Sequence, residues 1–163
     1  MTVPNYIVVI GFSTPRAWKP FASLIKLYQR TNYSHTYIRF YDTQSGKFLI
    51  AEAGHGEVHL QTLKNWRKKN AMVCESTYEI SPEAFRKMRN FILDQLQVKY
   101  SIVQNLGIVL HDLFGVKLFT NGVEGFNCSE LVARALPELF KGITKPIDFV
   151  KPSEIHALIY GKK

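Results

Sequence analysis

The stretch from position 35 to 52 reads His35-Thr-Tyr-Ile-Arg-Phe-Tyr41, then Asp42-Thr-Gln-Ser-Gly46, then Lys47-Phe-Leu-Ile-Ala51-Glu52. Thr36 to Tyr41 is dense in β-branched and aromatic residues, and Lys47 to Ala51 is a second apolar run. Both patterns suit a pleated, half-buried surface. Gln44-Ser45-Gly46 between them is turn chemistry, so the two runs are expected to form an antiparallel hairpin. His35 then starts one strand and Glu52 closes the other, which brings an imidazole and a carboxylate to the same edge of a sheet. A carboxylate there can hold an imidazole in one tautomer.

Outward from the hairpin, Tyr6 to Phe12 is a third strand, and Val58 to Leu60 and Ala71 to Ile80 are weaker strand candidates. Helical spacing dominates elsewhere. Between Pro20 and Arg30, Phe21, Leu24, Ile25 and Tyr28 recur on one face. Ser81-Pro82-Glu83 supplies an N-cap, a proline at the first helical position and an acid in the first turn. Phe85, Met88, Phe91, Ile92 and Leu96 line the face that follows. Ser101 opens a further helix ending near Gly115, and Asn127 precedes a last one striped by Leu131, Val132, Ala135 and Leu136 and closing near Pro137 to Phe140. Strands first and helices later predict an α+β domain spanning residues 1–163.

The chain has 163 residues, 46% of them hydrophobic, and a formal net charge of +8. That mixture excludes disordered, collagen-like and coiled-coil classes. No secretory signal is readable, and the seven-residue apolar run Tyr6 to Phe12 is far below the roughly 20 residues a membrane helix needs. A cytoplasmic protein with no stable membrane insertion is expected. Through position 51 the chain carries Arg16, Lys19, Lys26, Arg30, Arg39 and Lys47 against Asp42 alone, and Lys64, Arg67, Lys68 and Lys69 surround Trp66. The expected partners are therefore anionic: a peptide, a cell-wall fragment or a lipid, with nucleic acid as a further class.

Two cysteines cannot build a disulfide framework. Cys74 lies in the apolar run Ala71-Met-Val-Cys74 and reads as structural. Cys128 lies in Gly125-Phe-Asn-Cys-Ser-Glu-Leu-Val132, where a glycine approach runs into a helical pattern. A thiol in a first helical turn meets free backbone N–H groups and the positive end of the dipole, both of which favour a thiolate. Those N–H groups can also receive an oxyanion. A catalytic thiol needs a base within reach and a group to orient that base. His35 is the best placed base and Glu52 the orienting acid, with His55 as the alternative third member. His55-Gly-Glu-Val-His59 lacks the zincin spacing, has glycines against a helix and nominates no third ligand, so no metal is expected. His111 and His156 read as packing or surface residues.

His35 precedes Cys128 by 93 positions, the reverse of the papain order. Several stretches, in chain order, resemble the circularly permuted NlpC-like cysteine hydrolases of the papain fold, a group related to lecithin:retinol acyltransferase-like proteins. They are Leu24 through Tyr33-Ser34-His35, Leu49-Ile-Ala-Glu-Ala53, Gly56-Glu-Val58 with Trp66 after it, Val98-Lys-Tyr-Ser101, Phe126 through Val132, and Pro152-Ser-Glu-Ile155. The chain departs from that pattern at Tyr37-Ile-Arg39 and at Pro4-Asn5. The resemblance implies an antiparallel barrel-like sheet with the cysteine helix packed against it. It implies Cys128 as nucleophile, His35 as acid and base and Glu52 as orienter, with Tyr33, Trp66 and His55 beside the substrate and no cofactor. The implied activity is a thiol hydrolase cleaving amide bonds in peptides or cell-wall fragments. A thiol acyltransferase or lipid esterase is the alternative, and a non-enzymatic basic module binding nucleic acid through Trp18 and Trp66 is the third reading.

Overall fold

A computed structural model describes residues 5–54, 56–99 and 125–161. The helix expected from Ser101 to Gly115, together with His55 and His111, lies outside the described residues. Five strands form one antiparallel sheet: β1 (Tyr6–Pro15), β2 (His35–Asp42), β3 (Lys47–Gly54), β4 (Glu57–Thr62) and β5 (Asn70–Ile80). Their spatial order is β4-β3-β2-β1-β5. Five α-helices are described: α1 (Pro20–Gln29), α2 (Leu63–Lys69), α3 (Pro82–Asp94), α4 (Cys128–Ala135) and α5 (Pro152–Tyr160). The architecture is α+β.

The strands run longer than their apolar cores. Ile38 pairs with Ala51 and Asp42 with Lys47, closing the expected hairpin. Asp42 shapes the turn, its carbonyl accepting from the Gly46 N–H at 2.9 Å and its carboxylate from the Ser45 N–H at 2.9 Å. Because β3 continues to Gly54, Glu52 sits inside the strand rather than at its end. The helix at Pro82 starts as its signals require, with the Ser81 hydroxyl accepting from the Ala84 N–H at 3.2 Å. It stops at Asp94, so Leu96 falls in the turn beyond it.

The sheet buries both faces. Val8, Ile10 and Phe12 of β1, Ile38 and Phe40 of β2 and Ala51 of β3 face a core completed by Met88 and Ile92 of α3, Val132 and Ala133 of α4 and Ile155 of α5. On the opposite face Tyr37 and Ile50 meet Trp66 of α2, with the Tyr37 and Trp66 rings 4.5 Å apart.

The sheet is not a closed barrel. Among the described residues β4 and β5, the outer strands of the sheet, do not pair with each other. Instead α2 joins the end of β4 to the start of β5. A flat sheet would separate those strands by four spacings, about 19 Å, whereas a seven-residue helix spans about 10 Å. The sheet therefore curls toward α2, and the buried Trp66 fills the concavity where hydrogen-bonded closure would otherwise be required. The outer side of β4 is covered by the chain after α3: the Val58 N–H donates to the Val98 carbonyl at 2.7 Å, and the Gln97 N–H to the Val58 carbonyl at 2.9 Å. The Phe126 N–H then donates to the Lys99 carbonyl at 3.0 Å, which sets the approach to α4.

Gly11 sits where β1 crosses the Tyr37 ring, and a Cβ there would lie 2.2 Å from Tyr37 Cζ. Gly11→Ala is expected to lower stability by about 1–3 kcal/mol, the usual cost of overpacking, measurable as a drop in urea midpoint. A midpoint equal to that of the native chain would refute this packing of β1 on Tyr37.

Candidate active site

Two local features build the site. The first is the start of α4. Asn127 is its N-cap, with Oδ1 accepting from the Glu130 N–H at 2.8 Å while Nδ2 donates to the Asp148 carbonyl at 2.9 Å. This clamps the first turn and fixes Cys128 at its first position, 2% exposed. The second is the entry to β2, where the Ser34 N–H donates to the Ser13 carbonyl at 3.0 Å and pins the residue before His35 to β1.

His35 joins the two. Its Nε2 lies 2.8 Å from Glu52 Oε2, and the ring stands close enough to the Cys128 side chain for each to shift the other's ionisation. With Nε2 committed to the carboxylate, Nδ1 is the nitrogen left for the sulfur. Gly54 makes room for this ring: a Cβ there would come within 3.3 Å of His35 Cε1.

Glu52 is 1% exposed and has four side-chain neighbours on its two oxygens. Oε2 accepts from His35 and from the Trp66 indole N–H at 2.9 Å. Oε1 accepts from the Gln61 amide at 2.9 Å and lies 3.0 Å from His59 Nε2. Burial alone would raise its pKa, but the bonds and charge of His35, with His59 and Trp66, hold it well below the carboxylate range. The same logic governs the other two groups. Burial opposes charging His35, but the Cys128 thiolate and Glu52 carboxylate push its pKa up to about 10. Burial opposes a Cys128 thiolate, yet the His35 charge and hydrogen bond, the Thr36 backbone N–H and the Ser129 hydroxyl pull its pKa down. Each ionised group thus lowers the cost of ionising its neighbour, which favours the thiolate–imidazolium pair over isolated charges.

A cleft of about 300 Å³ opens beside His35, lined by Pro15, Phe21 and Ile25 as apolar residues together with Gly54 and Lys19. His35 and Glu52 line this cleft, and the buried Cys128 does not.

The other residues expected beside a substrate have different surroundings. Tyr33 is buried and packs its ring on Phe12 and His156, at centroid separations of 4.9 and 5.1 Å. Trp66 is fully buried, so its polar atom serves Glu52. Among the described residues no group of three His, Cys, Asp or Glu is placed to hold a metal. His59 points to Glu52 instead.

His59 and Gln61 are the neighbours that sequence reading passed over. Gly54 pairs with Glu57, which places Glu52 directly opposite His59 and Ile50 opposite Gln61, so the signal lay in Gly54 and Gly56 between the two strands. Ser13 is also new. It pairs with His35 across β1 and β2, is fully buried, and its hydroxyl has no hydrogen-bond partner among the described residues. Cys74 is half-buried on β5, and burial raises its pKa.

No protein-family model matches the chain, and no curated protein matches it.

Two outcomes are expected. Iodoacetamide at about pH 6.5 should alkylate Cys128 at least about tenfold faster than Cys74, and His35→Ala should abolish that advantage, because burial then acts on the thiol without its main opposing charge. Equal rates, read by peptide mass mapping, would refute the ion pair. Separately, the depressed Glu52 pKa contributes stability that is present above its ordinary value of 4.5 and lost as pH falls through the folded value. Thermal melting of the native chain should therefore fall steeply below about pH 4.5, and Glu52→Gln, less stable at neutral pH, should show a flatter acid limb.

Proposed function

We propose that the protein is a cysteine hydrolase in which Cys128, His35 and Glu52 act as nucleophile, acid and base, and orienter. The observation that carries this reading is the continuous chain from the Cys128 sulfur through the His35 ring to the Glu52 carboxylate. The order His strand, acid strand, cysteine helix supports a relationship to the permuted NlpC-like hydrolases, as does the packing of α4 against the β2–β3 hairpin.

In the proposed reaction the Cys128 thiolate adds to a carbonyl carbon, and backbone N–H groups of the first turn of α4 receive the oxyanion. The C–N bond breaks as protonated His35 gives its proton to the departing amine. Water then attacks the thioester, His35 takes its proton, and the acid product leaves with the thiolate restored. Glu52 keeps the imidazolium oriented throughout. The proposed substrate is a peptide or cell-wall fragment with an amide bond. The apolar walls at Pro15, Phe21 and Ile25 favour, as a second reading, the ester of a lipid, with a second acyl acceptor in place of water.

Intact-mass analysis after incubation with peptidoglycan fragments and with phospholipids distinguishes the two, since the mass added to Cys128 identifies the acyl group. Cys128→Ala should form no adduct and lose turnover by several orders of magnitude while melting like the native chain. Unchanged turnover would end the reading.

A further inference from the structure

Helix α1 is apolar on both sides. Its inner side gives Phe21, Ala22 and Ile25 to the cleft. Its outer side, at helical spacing, carries Pro20, Leu24 and Leu27, with Leu24 44% and Leu27 78% exposed. Trp18, two residues before the helix, is 79% exposed. A surface helix normally presents polar residues outward, and contiguous exposed apolar side chains mark an interaction site.

The charge around this ridge has one sign. Arg16, Lys19, Lys26 and Arg30 lie along it, and the first acidic residue of the chain is Asp42. The basic end of α2 joins the same patch. Arg16 donates its backbone N–H to the Lys69 carbonyl at 2.9 Å and its Nε to the Arg67 carbonyl at 2.9 Å, so Arg67, Lys68 and Lys69 stand beside the Trp18 segment.

We propose that the outer side of α1, the Trp18 segment and the basic end of α2 form a docking surface for an anionic phospholipid bilayer. The protein would sit peripherally, with Trp18, Leu24 and Leu27 in the headgroup–acyl boundary and the Lys and Arg ring among the phosphates. Amphipathic tryptophan and leucine flanked by Lys and Arg match the layered polarity of that boundary. Nucleic acid offers no apolar phase for Leu24 and Leu27. A second copy would bring two patches of like charge together. No described helix is long and apolar enough to cross a membrane, so contact at the interface is the mode this surface fits. The inference does not depend on chemistry at Cys128.

The chain's two tryptophans make the test specific, because Trp66 is fully buried and only Trp18 can meet lipid. The full chain is incubated with phosphatidylcholine vesicles, with and without phosphatidylglycerol. Expected are co-sedimentation with the anionic vesicles only, a blue shift of tryptophan emission, and quenching by brominated acyl chains that Trp18→Phe removes. Leu24→Gln with Leu27→Gln should weaken partitioning by about tenfold or more while leaving the melting curve in place, as both positions are exposed. Several results would overturn the proposal. They are absence of binding to anionic vesicles, a double variant that binds as tightly as the native chain, and emission that neither shifts nor quenches. Capture of a DNA or RNA oligonucleotide without vesicle binding would overturn it too, as would a dimer that the double variant dissociates.

Discussion

A carboxylate almost out of reach of water has to be surrounded by donors or it will not stay ionised. Glu52 meets that condition with four groups from three elements: His35 at the start of β2, His59 and Gln61 on β4, and Trp66 on α2. Satisfying one acid therefore fixes the register of the β3–β4 hairpin, the position of α2 under the sheet and the orientation of the imidazole. Each of these in turn limits its neighbours. Trp66 can reach Oε2 only if the sheet curls around it. His35 can bridge to Cys128 only if its other nitrogen is already held.

The same dependence extends to the buried Cys128 thiol. Burial works against every charge in the Cys128–His35–Glu52 chain, and each charge is tolerated because the next one stands beside it. Such a chain is strongly non-additive: deleting the middle member takes the cation from beside the buried Cys128 and leaves Glu52 with His59 in place of two imidazoles.

Most of this was readable from residues close together in sequence. The hairpin, the Ser81-Pro82 helix start and the Asn127-Cys128 helix start are local signals, and each stands where its residues place it. The pairing of His35 with Glu52 followed from the hairpin alone. The residues that were missed depend on register or on distant packing. His59 was weighed only as a metal ligand and set aside, because its partner Glu52 can be found only by counting register through Gly54 and Gly56. Trp66 was expected beside a substrate, because its neighbours in sequence are Asn65, Arg67, Lys68 and Lys69 and nothing local shows that the sheet folds over it. The barrel expectation failed for the same reason: curvature belongs to the whole sheet, and α2 supplies it without a closing pair of strands.

That helix also decides where the chain has spare length. The turn at Thr43 to Gly46 reverses the chain beyond the paired ends of β2 and β3, away from Glu52, and extra residues there would simply lengthen a surface loop. The seven residues of α2 have no such freedom. They draw two outer strands toward each other while pressing an indole against a carboxylate, so an inserted turn of helix would loosen the curl and withdraw Trp66 at once. Length variation in this fold should collect at the first connection and be excluded from the second, a contrast set by tension across the sheet rather than by exposure.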